Sequence, residues 1–192
     1  MKTILYVDGC LRRERSRTEK LAKAYLRQCS SLAPCRIETI VLEESGLSPL
    51  NEVALTRREA GIAAGDFRDD LFRCARVFAA ADEVVFAVPY WDFSFPAHLK
   101  VYLEHLCICG LTFRYSPQGV PVGLTRIKRV TYLTTAGGFI GPRDFGCDYV
   151  KGLMQGLFGI EDFQSFRAEG LDIEGNDPQA ILDEATRSLA RG

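Results

Sequence analysis

Glu83-Val84-Val85-Phe86-Ala87-Val88-Pro89-Tyr90-Trp91-Asp92-Phe93-Ser94-Phe95-Pro96 is the stretch that decides the fold. Residues 83–88 are a near-continuous apolar run, which predicts a strand buried on both faces, as in a parallel sheet. Pro89 ends that strand. Pro96 suits the first position of a following helix, expected over 96–109. Between the prolines lie four aromatic residues, where a loop is ordinarily polar. The stretch therefore reads as strand, aromatic loop, helix.

Working outward, the same alternation recurs. Residues 3–7 are an apolar, β-branched strand that meets Asp8-Gly9, a turn signal. Residues 16–29 carry Leu21, Ala24, Tyr25 and Leu26 at helical spacing, with Ser16 or Thr18 as the cap. Residues 36–42 read as a second strand, and 66–80 as a helix. Residues 43–65 are punctuated by Gly46, Pro49, Gly61 and Gly65 and read as a long, less regular connection with a functional role such as a lid or dimer contact. On the other side, 111–115 and 119–124 read as a small hairpin and 129–134 as a fourth strand. A helix over 143–158, a fifth strand over 161–167 and a last helix over 177–190 complete the order. Five strands alternating with helices argue an open parallel α/β sheet covered on both faces.

The 192 residues fit one domain spanning 1–192. Charged residues make up 26% and the net charge is -1, so nothing general draws the chain to nucleic acid or to an anionic membrane. The N-terminal apolar run is too short for a signal-peptide core, and no window approaches the roughly 18 apolar residues of a span. Seven cysteines at irregular spacing, without a CxxC and apart from the two histidines, read as free thiols rather than a metal site. A cytoplasmic protein is expected.

In an open parallel sheet, ligands bind outside the carboxyl ends of the strands. That rule selects three loops. The first, Asp8 to Thr18, runs into a helix N-terminus with Ser16 and Thr18 as hydroxyl donors and places Arg12, Arg13, Arg15 and Arg17 within six positions. Free helix N–H groups and guanidinia suit a phosphate monoester; a capped helix with a solvated basic face reads equally from these residues. The second loop, Pro89 to Pro96, offers a flat apolar surface to a planar ligand, or else packs as an aromatic corner into the core. The third, Thr134-Thr135-Ala136-Gly137-Gly138-Phe139, lets backbone approach a ligand closely, or is a plain turn. Together the three supply what a mononucleotide with a planar aromatic head needs.

These residues resemble the flavodoxin-like NAD(P)H oxidoreductase family of FMN-dependent NADH-azoreductases and quinone reductases. Pro89-Tyr90-Trp91-Asp92-Phe93 stands where the family shows Pro-Met-Tyr-Asn-Phe, and Gly110-Leu111-Thr112-Phe113-Arg114-Tyr115 is similar to its Gly-x-Thr-Phe-Arg-Tyr. Thr135-Ala136-Gly137-Gly138 is similar to a Ser-Arg-Gly-Gly segment. The resemblance implies a flavodoxin-like doubly wound sheet of five parallel strands in the order 2-1-3-4-5. It implies FMN, with Cys10, Ser16, Arg17 and Thr18 at the phosphate, and Pro89, Tyr90, Trp91, Asp92 and Phe93 along the isoalloxazine. Thr135, Ala136, Gly137 and Gly138 then lie at the pyrimidine edge.

It further implies a homodimer with each site at the subunit interface. NADH or NADPH reduces FMN, and a quinone, azo compound or similar small acceptor then oxidises it in a ping-pong cycle. No side chain is assigned as an obligatory acid or base, since the flavin carries the chemistry. Asp92 for Asn, Cys10 for Ser and the larger Trp91 depart from the pattern and bear on redox potential, phosphate contact and substrate range. Two other readings stay open: an electron-transfer flavodoxin without its own substrate, against which the near-neutral charge counts, and a protein of this fold that has lost the cofactor.

Overall fold

The computed structural model describes residues 1–189. Strands β1 (Lys2–Asp8), β2 (Cys35–Val41) and β3 (Glu83–Ala87) alternate with helices α1 (Arg17–Leu32), α2 (Glu52–Ala64) and α3 (Arg73–Ala79). Helix α4 (Ala97–Leu106) precedes a hairpin of β4 (Phe113–Tyr115) and β5 (Pro121–Gly123). Strand β6 (Arg129–Thr135), helix α5 (Phe145–Gly156), strand β7 (Asp162–Ala168) and helix α6 (Pro178–Leu189) follow. The main sheet has the order β2-β1-β3-β6-β7 with every neighbouring pair parallel. Setting the hairpin aside, this is the expected 2-1-3-4-5.

The continuous apolar runs are explained by burial on both faces. Along β1, Leu5 and Val7 point to one side and Ile4 and Tyr6 to the other; along β3, Val84 and Phe86 oppose Val85 and Ala87. One side packs on Phe78 of α3, Leu99, Tyr102, Leu103 and Leu106 of α4, and Val150 and Met154 of α5. The other packs on Leu21, Ala22, Tyr25 and Leu26 of α1 and on Leu182, Ala185 and Leu189 of α6. Each fully buried aliphatic or aromatic side chain contributes roughly 1.5–3 kcal/mol relative to exposure. The central strands therefore anchor both layers.

Three local expectations change. Residues 43–65 are not an irregular connection: they hold α2, capped by the Asn51 side chain, which accepts the Ala54 N–H at 2.9 Å, and closed by Gly65 at φ 63. None of its residues is buried, so it carries no apolar stripe to read. The helix expected over 66–80 is shorter, a single 3-10 turn (Asp70–Phe72) running into α3. Helix α4 stops at Leu106 rather than 109, because the Thr112 hydroxyl donates to the Leu106 carbonyl at 2.6 Å and folds the chain back. Of the last expected helix, residue 190 lies outside the described residues.

Gly61 lies inside α2, where alanine ordinarily stabilises by about 1 kcal/mol. A Cβ there would stand 2.6 Å from the ring of Phe72, which is fully buried. Gly61→Ala is therefore expected to destabilise by about 1–3 kcal/mol through overpacking, read as a fall in thermal unfolding temperature; a rise would contradict this packing.

Candidate functional site

The parallel ladder sets Asp8 of β1 beside Ala87 of β3, and Ala87 beside Leu133 of β6. The three loops that follow thus leave the sheet at one level. Backbone bonds stitch them: Gly9 N–H donates to Ala87 O at 2.9 Å and Tyr90 N–H to Thr135 O at 3.0 Å. Side chains add another tie, a 2.7 Å hydrogen bond between the buried Thr18 and Thr135 hydroxyls. A cavity of about 320 Å³ opens between the loops.

One wall is the first loop. After a 3-10 turn (Arg13–Arg15), Ser16 caps α1, its hydroxyl accepting the Glu19 N–H at 3.2 Å. The Arg17 and Thr18 N–H groups, in the first turn, have no carbonyl behind them within the helix. Arg12, Arg15, Ser16, Arg17 and Thr18 all line the cavity. Helix dipole, hydroxyls and guanidinia converge on this wall, a combination that suits an anion. Ser16 is both the cap of α1 and part of the cavity wall.

The second wall is the aromatic loop. Pro89, Tyr90 and Trp91 line the cavity. The loop is not a core corner, since Trp91 is 40% and Phe93 51% exposed. Trp91 and Ser94 exchange backbone hydrogen bonds at 3.0 and 2.7 Å around Asp92 and Phe93, both at positive φ (50° and 66°). That is a two-residue turn of the type that asks for positive φ at both central positions. Asp92 and Phe93 sit at its exposed tip, outside the cavity lining. The Tyr90 hydroxyl donates to Arg143 O at 3.0 Å, and the Arg143 guanidinium lies 5.9 Å from the Phe93 ring centre.

The third wall is Thr135, Ala136 and Gly137; Gly138 lies just beyond it. A fourth wall, Leu171 and Asp172 after β7, was not singled out in the sequence. Its only signal was its place at the carboxyl end of a strand.

Cys10 is brought near but not in. Its thiol donates to Ala87 O, its N–H is held by the Asp8 carboxylate at 2.9 Å, and it does not line the cavity. Burial pushes that thiol well up, so it stays protonated. Neither histidine lines the cavity: His98 is exposed, and His105 is buried with Nε2 against Ser48 O at 3.0 Å. Among the described residues no cluster of three or more His, Cys, Asp or Glu is placed to hold a metal.

A family model described as flavodoxin-like fold matches residues 2–191. The chain is 33% identical to an FMN-dependent NADH:quinone oxidoreductase 2 of Clostridium acetobutylicum, over 95% of this chain and 93% of that protein. It is 32% identical to an FMN-dependent NADH:quinone oxidoreductase of Lachnoclostridium phytofermentans, over 96% and 94% of the two chains. Among solved structures, an azoreductase from Bacillus anthracis superposes with a TM-score of 0.84 at 25% identity, over 100% of this chain and 98% of that one.

Asp8 lies under the first loop, buried, and that burial raises its carboxyl above the ordinary value. A folded-state value above the unfolded one means the contribution to stability is full below the ordinary carboxylate range and is lost as pH rises through the raised value. Asp8→Asn keeps an acceptor for the Cys10 N–H and carries no charge. It is expected to be more stable than the parent at neutral pH, with the advantage shrinking in acid, as measured by urea unfolding at the two pH values. An equal effect at both would show that Asp8 does not titrate as its burial requires.

Proposed function

The chain belongs to the flavodoxin-like fold family, and from that premise we propose that it is an FMN-dependent NADH oxidoreductase acting on quinones, azo compounds or similar small acceptors. The observation that carries this is one cavity lined at once by a helix N-terminus with three guanidinia and by an aromatic loop. Similarity to named NADH:quinone oxidoreductases and to an azoreductase supports it.

The donor set fits FMN. A phosphate needs several strong donors, and Ser16, Thr18, Arg12, Arg15, Arg17 and the first N–H groups of α1 provide them in one wall. A planar ring needs apolar surface and close backbone approach, and Pro89 to Trp91 and Thr135 to Gly137 provide those. Cys10 is given no phosphate contact, because its thiol is turned to Ala87 O. When bound, FMN supplies the two-electron chemistry, taking a hydride equivalent from NADH and delivering the electrons to the acceptor.

The protein's part is placement and electrostatics. The arginines and α1 hold the anionic end. The Thr18–Thr135 bond fixes the distance between the phosphate wall and the glycine wall. Trp91 lines the cavity beside them. Asp92 is solvated at the tip of its turn, which keeps its charge outside the cavity. No side chain is positioned as an obligatory acid or base, in keeping with chemistry carried by the cofactor.

Donor and acceptor use the same open mouth in turn, a ping-pong cycle with NADH, or NADPH, first. The functional unit is a homodimer with each site completed at the interface. The support is a set of exposed large apolar side chains, Phe93, Phe139 (76% exposed), Phe145 and Tyr149, on the segments that follow β3 and β6. The seven cysteines are all free, which favours the reducing cytoplasm. No described helix is long and apolar enough to cross a membrane.

The purified protein is expected to be yellow or to take up added FMN, and to oxidise NADH on addition of a quinone. A colourless protein indifferent to added FMN would overturn the assignment, and a yellow protein without turnover would make it a carrier. Replacing Ser16 and Arg17 together by alanine is expected to weaken FMN by about thirtyfold, roughly 2 kcal/mol, while riboflavin changes little. Flavin fluorescence quenching measures both, and equal losses would move the phosphate elsewhere.

A further inference from the structure

Asp172 is an acid in a cationic cavity. Its backbone is pinned, since Gly170, Leu171 and Asp172 N–H groups donate to Gly138, Ala136 and Gly137 carbonyls at 3.0, 3.2 and 2.9 Å. The side chain is therefore delivered to the cavity by a fixed segment. Its Oδ1 accepts from Arg17 Nη1 at 2.7 Å. Its Oδ2 occupies the space beside Gly137, where a Cβ would stand 2.4 Å from it. A larger residue at 137 would expel the carboxylate, so Gly137 and Asp172 belong to one arrangement. The pair joins α1 to the loop after β7 across the cavity mouth.

We propose that Arg17 and Asp172 form a displaceable clasp, in which Asp172 is an internal counter-anion that sets how tightly the phosphate end of FMN is held. This rests on the assignment of that cavity to FMN. Arg17 cannot give the same donor to Asp172 and to a phosphate. Both side chains are substantially solvated, so the pair is weak and gives way readily. A dianionic phosphate ester, which also takes the α1 N–H groups and the other guanidinia, outcompetes one carboxylate; a singly charged anion that reaches fewer of these donors does not. Asp172 thus keeps lesser anions from holding Arg17, and it moderates FMN affinity. It is a specificity-determining residue, not a catalytic one.

The test is a double-mutant cycle on the full chain freed of flavin, with Kd for FMN and for riboflavin read by flavin fluorescence quenching. Asp172→Asn is expected to tighten FMN about three- to fivefold and to leave riboflavin unchanged. In an Arg17→Ala background the same substitution should lose most of its effect. An unchanged melting temperature would confirm that the fold is kept, and Asp172→Ser provides a second variant if the Asn protein does not fold. Weaker binding of both ligands would mean that Asp172 supports the wall or contacts the ligand directly, and would overturn the clasp. Weaker FMN alone would mean that it orients Arg17 for the phosphate, and would also overturn it. An undiminished gain in the Arg17→Ala background would reduce Asp172 to a general field effect, against the proposal. If the parent protein binds no FMN at all, the cofactor assignment itself fails, which is a result distinct from FMN binding that Asp172→Asn leaves unchanged.

Discussion

Burial of β3 on both faces is the constraint from which the rest follows. A strand with apolar side chains on both sides needs a helical layer above and another below. The helices that form these layers are also the crossovers, and a strand reached through a helical crossover lies parallel to its neighbour. Once β1, β3 and β6 run parallel in one register, their carboxyl ends lie together, and the loops leaving them meet whether or not a ligand is present. The cavity is thus a consequence of topology, and its chemistry is what the loops bring to it. The backbone bonds from Gly9 to Ala87 and from Tyr90 to Thr135 extend the ladder one step past the strands, so the walls inherit the rigidity of the sheet.

That order of causes explains what could be read in the sequence. The central strands were legible because two-sided burial leaves apolar runs such as residues 83–88, and the edge strand β2 because its residues alternate. The three loops were legible because they follow those runs, and their composition is unusual: arginines, aromatics, paired glycines. Helix α2 was not legible, because a helix with no buried residue has no period to detect, and its caps, Asn51 and Gly65, look like ordinary loop punctuation. The overextension of the 66–80 helix has the opposite cause: apolar residues at helical spacing, Phe67 and Leu71, precede α3 rather than lie within it. Leu171 and Asp172 form a wall that composition does not mark. An aspartate two residues after Gly170 reads as punctuation until the fold sets it opposite Arg17. The direction of the Cys10 thiol was equally hidden, because its partner, Ala87 O, is a backbone atom on another strand.

The cavity balances opposite charges with care for where each lies. Asp8 is buried beneath the first loop, and that burial raises its carboxyl above the ordinary value. Asp172 carries its charge at the solvated mouth, where water and Arg17 both screen it. Among the lining residues, the guanidinia of Arg12, Arg15 and Arg17 face a single carboxylate, that of Asp172. A chain with a net charge of -1 thus gathers three guanidinia at one cavity.

The aromatic turn shows what the scaffold sustains in exchange for an exposed surface. Positive φ is tolerable for Asp92, since short polar side chains enter that region readily, but it is unfavourable for Phe93, with strain of order 1–3 kcal/mol. A glycine at 93 would remove that strain and would suit this type of turn better. Stability alone therefore does not account for a half-exposed phenylalanine at that position. The conformation is held by the reciprocal Trp91–Ser94 bonds, by the Tyr90 hydroxyl on Arg143 O and by the Arg143 guanidinium over the ring. Several independent contacts thus enforce one unfavourable backbone geometry, and its result is a rigid aromatic edge beside the cavity mouth. Rigidity matters there because any group held against this edge is positioned only as well as the edge itself is fixed.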